Sequence, residues 1–259
     1  MKLLLSPEQS QDIVELQAIA REFDAALVII GAIALACFLD HIGRGTNDID
    51  LVIALDLEVF HEFTSRLISR GWTREPKLEH RWRSPRASRI DLLPAGPSLR
   101  VAKRIVWPES EFEMNLVGFD HVFAYAVSVE FAKDTMFLVA PPSVVALLKI
   151  VAHLDDPHRR AKDLLDLKIL LGCYQTNTDR IFCDEVFDAE LEDIEYASAF
   201  LLGLDIGKFA TQEDLAVVRA FTKRYRTAEL DHLDPADDRA ELQFQRQIRA
   251  FEQGLATGR

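Results

Sequence analysis

The chain has 259 residues, 49% of them hydrophobic and 28% charged, enough apolar side chains to bury a core in one large domain or two modest ones. Its formal net charge of -12 excludes a protein that coats nucleic acid through its average field, because phosphates are repelled unless basic residues cluster locally. The cysteines, Cys37, Cys173 and Cys183, are odd in number and lack a C-x-x-C spacing, which points to a reducing cytoplasm rather than a disulfide framework. The opening MKLLLSPEQS carries too short an apolar run for a secretory signal. Residues 7–22 then read as a helix, with Pro7 in its first turn and Ile13, Leu16, Ile19 and Ala20 on one side. The apolar run 25–39 is interrupted by Gly31 and is shorter than the ~20 residues that span a bilayer. It reads instead as a strand over 27–30, a turn at Gly31 and a helix over 32–41 ended by Gly43.

A strand over 50–55 follows, and Val59, Phe60, Phe63, Leu67 and Ile68 recur at helical spacing before Gly71. Residues 77–93 are strand-like and carry Arg81, Arg83, Arg86 and Arg89 with Trp82 among them. Such a stretch serves equally to bind an RNA backbone or a triphosphate and to keep an edge strand soluble. Alternation over 111–139 suggests further short strands. Pro141 and Pro142 break the chain, Ser143 caps a helix to about His153, and 159–171 forms another with Leu164, Leu165, Leu167 and Leu171 inward. His153 and His158 flank a connection between helices and lack the spacing of a zinc pair. The acidic segments 184–195 and 229–241 read as solvated helix faces. Strand signals stop at the two prolines, so the domain boundary falls there, giving 1–140 and 141–259.

The densest chemical signal is GAIALACFLDHIGRGTNDIDLVIAL from Gly31 to Leu55. Because strand side chains alternate, Asp48 and Asp50 project from one face while Ile49 points into the core. Two acids side by side repel each other unless a cation neutralises them, and hard oxygen ligands select magnesium or a similar ion that also contacts phosphates. Asp-x-Asp alone also occurs at hydrated strand ends, so its surroundings matter.

Those surroundings resemble the DNA polymerase beta-like nucleotidyltransferase superfamily, in which a glycine turn precedes a helix and an Asp-x-Asp strand; Gly31, Asp48 and Asp50 are the matching residues. The intervening Arg44, Gly45, Thr46 and Asn47 resemble the R-x-T/S-x-D-x-D pattern of AbiEii-type toxins. Where the family has Gly-Ser or Gly-Gly, this chain has Gly31-Ala32; lacking a hydroxyl, Ala32 leaves triphosphate contact to backbone N–H groups at the helix start. The resemblance implies a third carboxylate, and Asp91, set in the apolar stretch Ile90-Asp91-Leu92-Leu93, is the candidate, since an acid embedded there needs a partner. Leu147-Leu148-Lys149 and the stretch from His158 to Leu167 resemble later motifs of the same family. Lys149 is then implied at the phosphates or leaving pyrophosphate, with Arg160, Lys162 and Asp163 lining the nucleotide or positioning the acceptor. Without the resemblance these are helix-face charges in local ion pairs, the reading kept for Asp166.

The implied fold is α/β (α+β): a small mixed β-sheet nucleotidyltransferase core with flanking helices, and a C-terminal helical domain completing the nucleotide cleft. The implied chemistry is transfer of an NMP from an NTP to an acceptor hydroxyl, with two Mg2+ ions, or Mn2+ in their place, on Asp48, Asp50 and Asp91. Arg44 and Thr46 would position phosphates or brace the carboxylates. The resemblance further implies the toxin half of a toxin-antitoxin pair, with tRNA or another RNA as acceptor and a cognate antitoxin as partner, and no membrane association. Two alternatives stand beside it: an antibiotic-type transferase with a small-molecule acceptor, and a non-catalytic nucleotide-binding regulatory module.

Overall fold

A computed structural model describes residues 5–39, 48–226 and 235–259, the side chains of 235–238 excepted. The chain divides into two compact units, Met1–Pro141 and Pro142–Arg259.

The first unit opens with α1 (Pro7–Glu22), started by a capping box: Gln9 N–H donates to Ser6 Oγ and Ser6 N–H donates to Gln9 Oε1. This reciprocal pair satisfies two donors that a helix start otherwise leaves open. Then come β1 (Leu27–Ile30), α2 (Gly31–Phe38), β2 (Asp48–Ile53), α3 (Leu57–Ser69), β3 (Thr73–Arg74), β4 (Arg81–Arg83), β5 (Arg89–Pro94) and α4 (Pro97–Ala102). The unit closes with β6 (Arg104–Val106), β7 (Glu113–Asn115), α5 (Phe119–Ala124), β8 (Val127–Ala132) and β9 (Thr135–Val139). Seven strands form one mixed sheet in the order β3-β4-β5-β2-β1-β9-β8, with β6 and β7 as a separate pair. Parallel pairing joins β2 to β5 and β1 to β9; the other neighbours run antiparallel. Central β1 is buried at all four positions, as a strand covered on both faces must be, which is why its sequence is unbroken Leu-Val-Ile-Ile.

Two expectations shift here. The helix after Gly31 ends at Phe38 with Leu39 extended, short of 41, and the stop expected at Gly43 lies outside the described residues. Within 111–139, residues 119–124 form helix α5 rather than strand: Gly118, at φ +85, turns the chain where a side-chain-bearing residue would be strained, and Phe119, His121 and Val122 become buried. On α2, Cys37 lies half-buried with its thiol directed at the Ile33 carbonyl, 3.3 Å away. Burial pushes that thiol up to about 12, so at pH 8 almost none is thiolate, the nucleophilic form. Peptide mapping after iodoacetamide treatment of the native protein is expected to find Cys37 unmodified and, after denaturation, fully modified. Because the folded value is the raised one, the associated stability is whole below the free thiol's ~8.5 and is lost as pH climbs toward about 12.

The second unit contains α6 (Pro142–Asp155), α7 (Ala161–Cys173), a 3-10 turn at Asp179–Phe182, α8 (Asp184–Asp188) and a second 3-10 turn at Ile194–Tyr196. It ends with α9 (Ala197–Phe209), α10 (Gln212–Arg226) and α11 (Pro235–Thr257). On α7 the inward side carries Asp163, Asp166, Leu167, Leu170 and Leu171, while Leu165, expected inward, is 56% exposed. Helical spacing from Leu167 and Leu171 selects 163, 166 and 170, not 165. Of the acidic segment 184–195, only 184–188 and 194–195 are helical; of 229–241, residues 229–234 lie outside the described residues. Among the described residues no helix is long and apolar enough to cross a membrane.

Candidate functional site

On β2, Asp48 and Asp50 are half-buried while Ile49, Leu51, Val52 and Ile53 are buried, so the strand anchors through its apolar residues and presents both acids on one face. Strand β5 repeats the pattern with Arg89 and Asp91 half-buried around Ile90. The two strands are parallel and in register, Asp48 opposite Arg89 and Asp50 opposite Asp91. In-register partners point to the same side about 4.8 Å apart. The sheet therefore brings Asp48, Asp50 and Asp91 to one face.

Gly31 at the β1–α2 turn borders this face. It sits at φ +70, and a Cβ there would lie 2.1 Å from Asp50 Oδ2, so glycine is required both by the backbone and by the carboxylate pressed against it. Ala32 follows, 4% exposed, in the first turn of α2. The α2 N-cap is Ile30, whose side chain makes no cap hydrogen bond; the first N–H groups of that helix receive no side-chain acceptor from this position, as suits an anion-binding turn.

Two arginines neutralise the face. Arg81 on β4 lies opposite Asp91 and donates from Nε and Nη2 to its two carboxylate oxygens, both at 2.7 Å. Its Nη2 is also 3.6 Å from Asp48 Oδ2, and Arg89 Nη1 is 3.2 Å from Asp48 Oδ1. The hydrogen bonds that Arg81 donates to Asp91 raise its pKa above the ordinary value, against the opposing effect of burial. Among the described residues, no three carboxylate, imidazole or thiol groups are gathered closely enough to hold a metal ion as they stand. The donor set nevertheless suits a hard divalent cation: three acids share a face, one guanidinium already reaches two of them, and Gly31 leaves Asp50 its space.

The arginine cluster is therefore mostly engaged rather than displayed. Arg86 binds buried Asp12 of α1 at 2.6 Å and Glu15 at 2.9 Å, while Ser84 Oγ donates to Asp12 at 2.6 Å and accepts from the Arg86 and Ser88 N–H groups. These contacts fix the turn between β4 and β5, and with it the register that places Arg81 on Asp91. Arg83 is exposed. The role of Arg81 was legible in principle: Arg81 and Asp91 lie equal steps either side of Arg86, as antiparallel partners in a hairpin do. Arg44 and Thr46 lie outside the described residues.

In the second unit, Lys149 on α6 is 7% exposed and contacts Asp163 Oδ1 at 2.8 Å and Asp166 Oδ2 at 2.7 Å. Asp166 is 1% exposed, a buried partner of Lys149 rather than a surface charge, because helical spacing turns it inward beside Asp163. Burial disfavours the Lys149 ammonium, but the two carboxylates outweigh it and hold its pKa above the ordinary value. Arg160 reaches Asp163 Oδ2 at 3.7 Å from an exposed position, and Lys162 is exposed. His153 is buried between the Arg160 carbonyl, 3.1 Å from Nδ1, and the Tyr225 hydroxyl, 2.5 Å from Nε2. Replacing Lys149 by Met keeps the volume but leaves two buried acids without their cation, and chemical denaturation should show a loss of about 3 kcal/mol, the lower end for breaking a buried pair, since Arg160 still faces Asp163. The double variant Lys149→Met with Asp166→Asn should recover part of that loss.

A model of the nucleotidyl transferase AbiEii toxin family of type IV toxin-antitoxin systems matches residues 16–257. No curated protein matches the sequence. Among solved structures, the complex of ANT(2'')-Ia with adenylyl-2''-tobramycin is 14% identical, covering 84% of this chain and 98% of that one at a TM-score of 0.44. An antigenic nucleotidyltransferase-like protein from Paracoccidioides brasiliensis is 13% identical, covering 92% and 94% at a TM-score of 0.44.

Proposed function

The chain belongs to the AbiEii nucleotidyl transferase toxin family and is a nucleotidyltransferase; from that premise we propose that it moves an NMP from an NTP to a hydroxyl of an RNA, tRNA being the foremost candidate, as the toxin of a pair with a cognate antitoxin. The observation that carries the site assignment is the register of β2 and β5, which sets Asp48, Asp50 and Asp91 on one face beside Gly31. These three carboxylates would hold Mg2+ or Mn2+, whose charge would offset that of the triphosphate and favour ionisation of the attacking hydroxyl. Backbone N–H groups at the start of α2 receive phosphate oxygens, with Ala32 offering no hydroxyl. The acceptor oxygen attacks the α-phosphorus in line, the bond to the bridging oxygen breaks, pyrophosphate leaves, and Asp91 takes the hydroxyl proton. Arg44 and Thr46, just before β2, brace the carboxylates or the phosphates. Lys149, Arg160, Lys162 and Asp163 belong to the second unit, in which Asp163 and Asp166 enclose the Lys149 ammonium.

A small-molecule acceptor is the second reading. It is favoured by the net charge of -12 and by Arg81, Arg86 and Arg89 being engaged by carboxylates, which leaves less positive surface for an RNA backbone. Incubating the protein with each α-labelled NTP, Mg2+ and total RNA tests both. Label on RNA, absent with Asp50→Ala, supports the first reading. Label confined to small molecules supports the second, and absence of label with every NTP and acceptor pool overturns the site assignment.

A further inference from the structure

Across the polar face, perpendicular to the strands, four charged residues stand in one row. Asp50 is in register with Asp91, and Asp91 lies opposite Arg81. The β3–β4 pairing, Thr73 with Arg83 and Arg74 with Trp82, continues one step to put Glu75 opposite Arg81, and the Glu75 N–H donates to the Arg81 carbonyl at 2.9 Å. Directly opposed side chains lie about 5 Å apart at Cβ, so the guanidinium has an acid on either side: Asp91, which it grips with two hydrogen bonds, and Glu75, whose charge also acts on it.

We propose that Arg81 is the resident counter-ion of the carboxylate face and that it exchanges from Asp91 to Glu75 when a divalent cation takes its place; this rests on the metal-site reading given above. A cation bound by Asp50 and Asp91 needs Asp91 oxygens that both accept hydrogen bonds from Arg81 in the structure. The guanidinium is also repelled by any cation 4–6 Å away. Glu75 offers it a position on the same face, one strand further from β2, at which its charge remains compensated. Arg81 is thus a positioning residue: it holds the acids in place before the metal arrives and lowers the site's affinity for that metal by the energy needed to release Asp91. Arg89 cannot fill this part, since its partner is Asp48 and it stands two residues along β5 from the row.

Mn2+ binding to the full chain, read by the electron paramagnetic resonance of free Mn2+, tests the exchange. Arg81→Gln removes the competitor and should bind Mn2+ about tenfold more tightly, a coupling within the usual range for linked sites. Glu75→Gln removes the alternative partner and should bind it several-fold more weakly. Arg81→Lys, which keeps a charge but loses the fork, should fall between wild type and Arg81→Gln and serves if the glutamine variant does not fold. Circular dichroism establishes the fold of each. Equal or weaker binding by both Arg81 variants, or no change with Glu75→Gln, overturns the exchange. The metal-site reading then stands if wild type binds Mn2+ and Asp50→Asn does not. If wild type itself binds no Mn2+, both the metal site and the exchange are wrong.

Discussion

Asp50→Asn is expected to reduce nucleotidyl transfer by about 10^3-fold, in the range for losing one preorganised electrostatic contact to a transition state. Asp50 is backed by Gly31 and stands next to Asp91, so neutralising it removes a ligand from the reaction. Asp91→Asn should lose activity and stability together, because the bidentate hold of Arg81 depends on a charged acceptor. Asp48 is approached by both Arg81 and Arg89, so its replacement leaves two guanidinium groups short of an acid and should weaken the fold. Initial rates with the labelled NTP that gives product, beside thermal melts of the three variants, separate these outcomes. A rate for Asp50→Asn within tenfold of wild type would remove Asp50 from the reaction.

The parts of this site that sequence exposes are those set by local periodicity. Alternation alone puts Asp48 and Asp50 on one face with Ile49 inward, and the glycine turn before an apolar helix is visible in Gly31-Ala32. What alternation does not contain is which strand lies beside which. That Asp91 belongs next to Asp50 depends on the parallel β2–β5 pairing, a long-range fact that the resemblance supplied and periodicity could not. The arginines show the same limit: read singly, Arg81, Arg86 and Arg89 are a basic patch, but the hairpin register gives Arg81 to Asp91 while α1 supplies Asp12 and Glu15 for Arg86. In the second unit, helical spacing already contained the inward position of Asp166; reading it as a surface charge followed from residue type rather than from the spacing of its neighbours. The helix α5 was hidden because a six-residue helix offers too little periodicity to outweigh flanking strand-like residues.

Gly254→Ala is expected to destabilise the helical unit by about 4 kcal/mol or more, among the largest effects a single methyl group can have. Helices α9 and α11 cross in backbone contact through glycines: Gly203 and Gly207, one turn apart on α9, meet Gly254 on α11 and Gly258 just past its end. A Cβ on Gly254 would lie 1.9 Å from the Phe200 carbonyl oxygen and 2.8 Å from the Leu204 nitrogen; one on Gly203 would lie 2.0 Å from the Phe251 carbonyl oxygen. The obstructing atoms are backbone, so no side-chain rotamer relieves the clash and the helices must separate, opening the packing around buried Phe200, Phe251 and Leu255. Gly172→Ala provides the comparison, because its Cβ would meet only the end of the Gln247 side chain at 3.4 Å; within α7 the gain in helix propensity makes that change neutral or mildly stabilising. The two clashing substitutions should not add. Once Gly254→Ala has driven the helices apart, Gly203→Ala meets a gap already opened, so denaturant melts of the double variant should show a loss well below the sum of the two single losses. Full additivity would mean that each methyl group is accommodated independently, and would exclude a shared backbone crossing as the source of the loss.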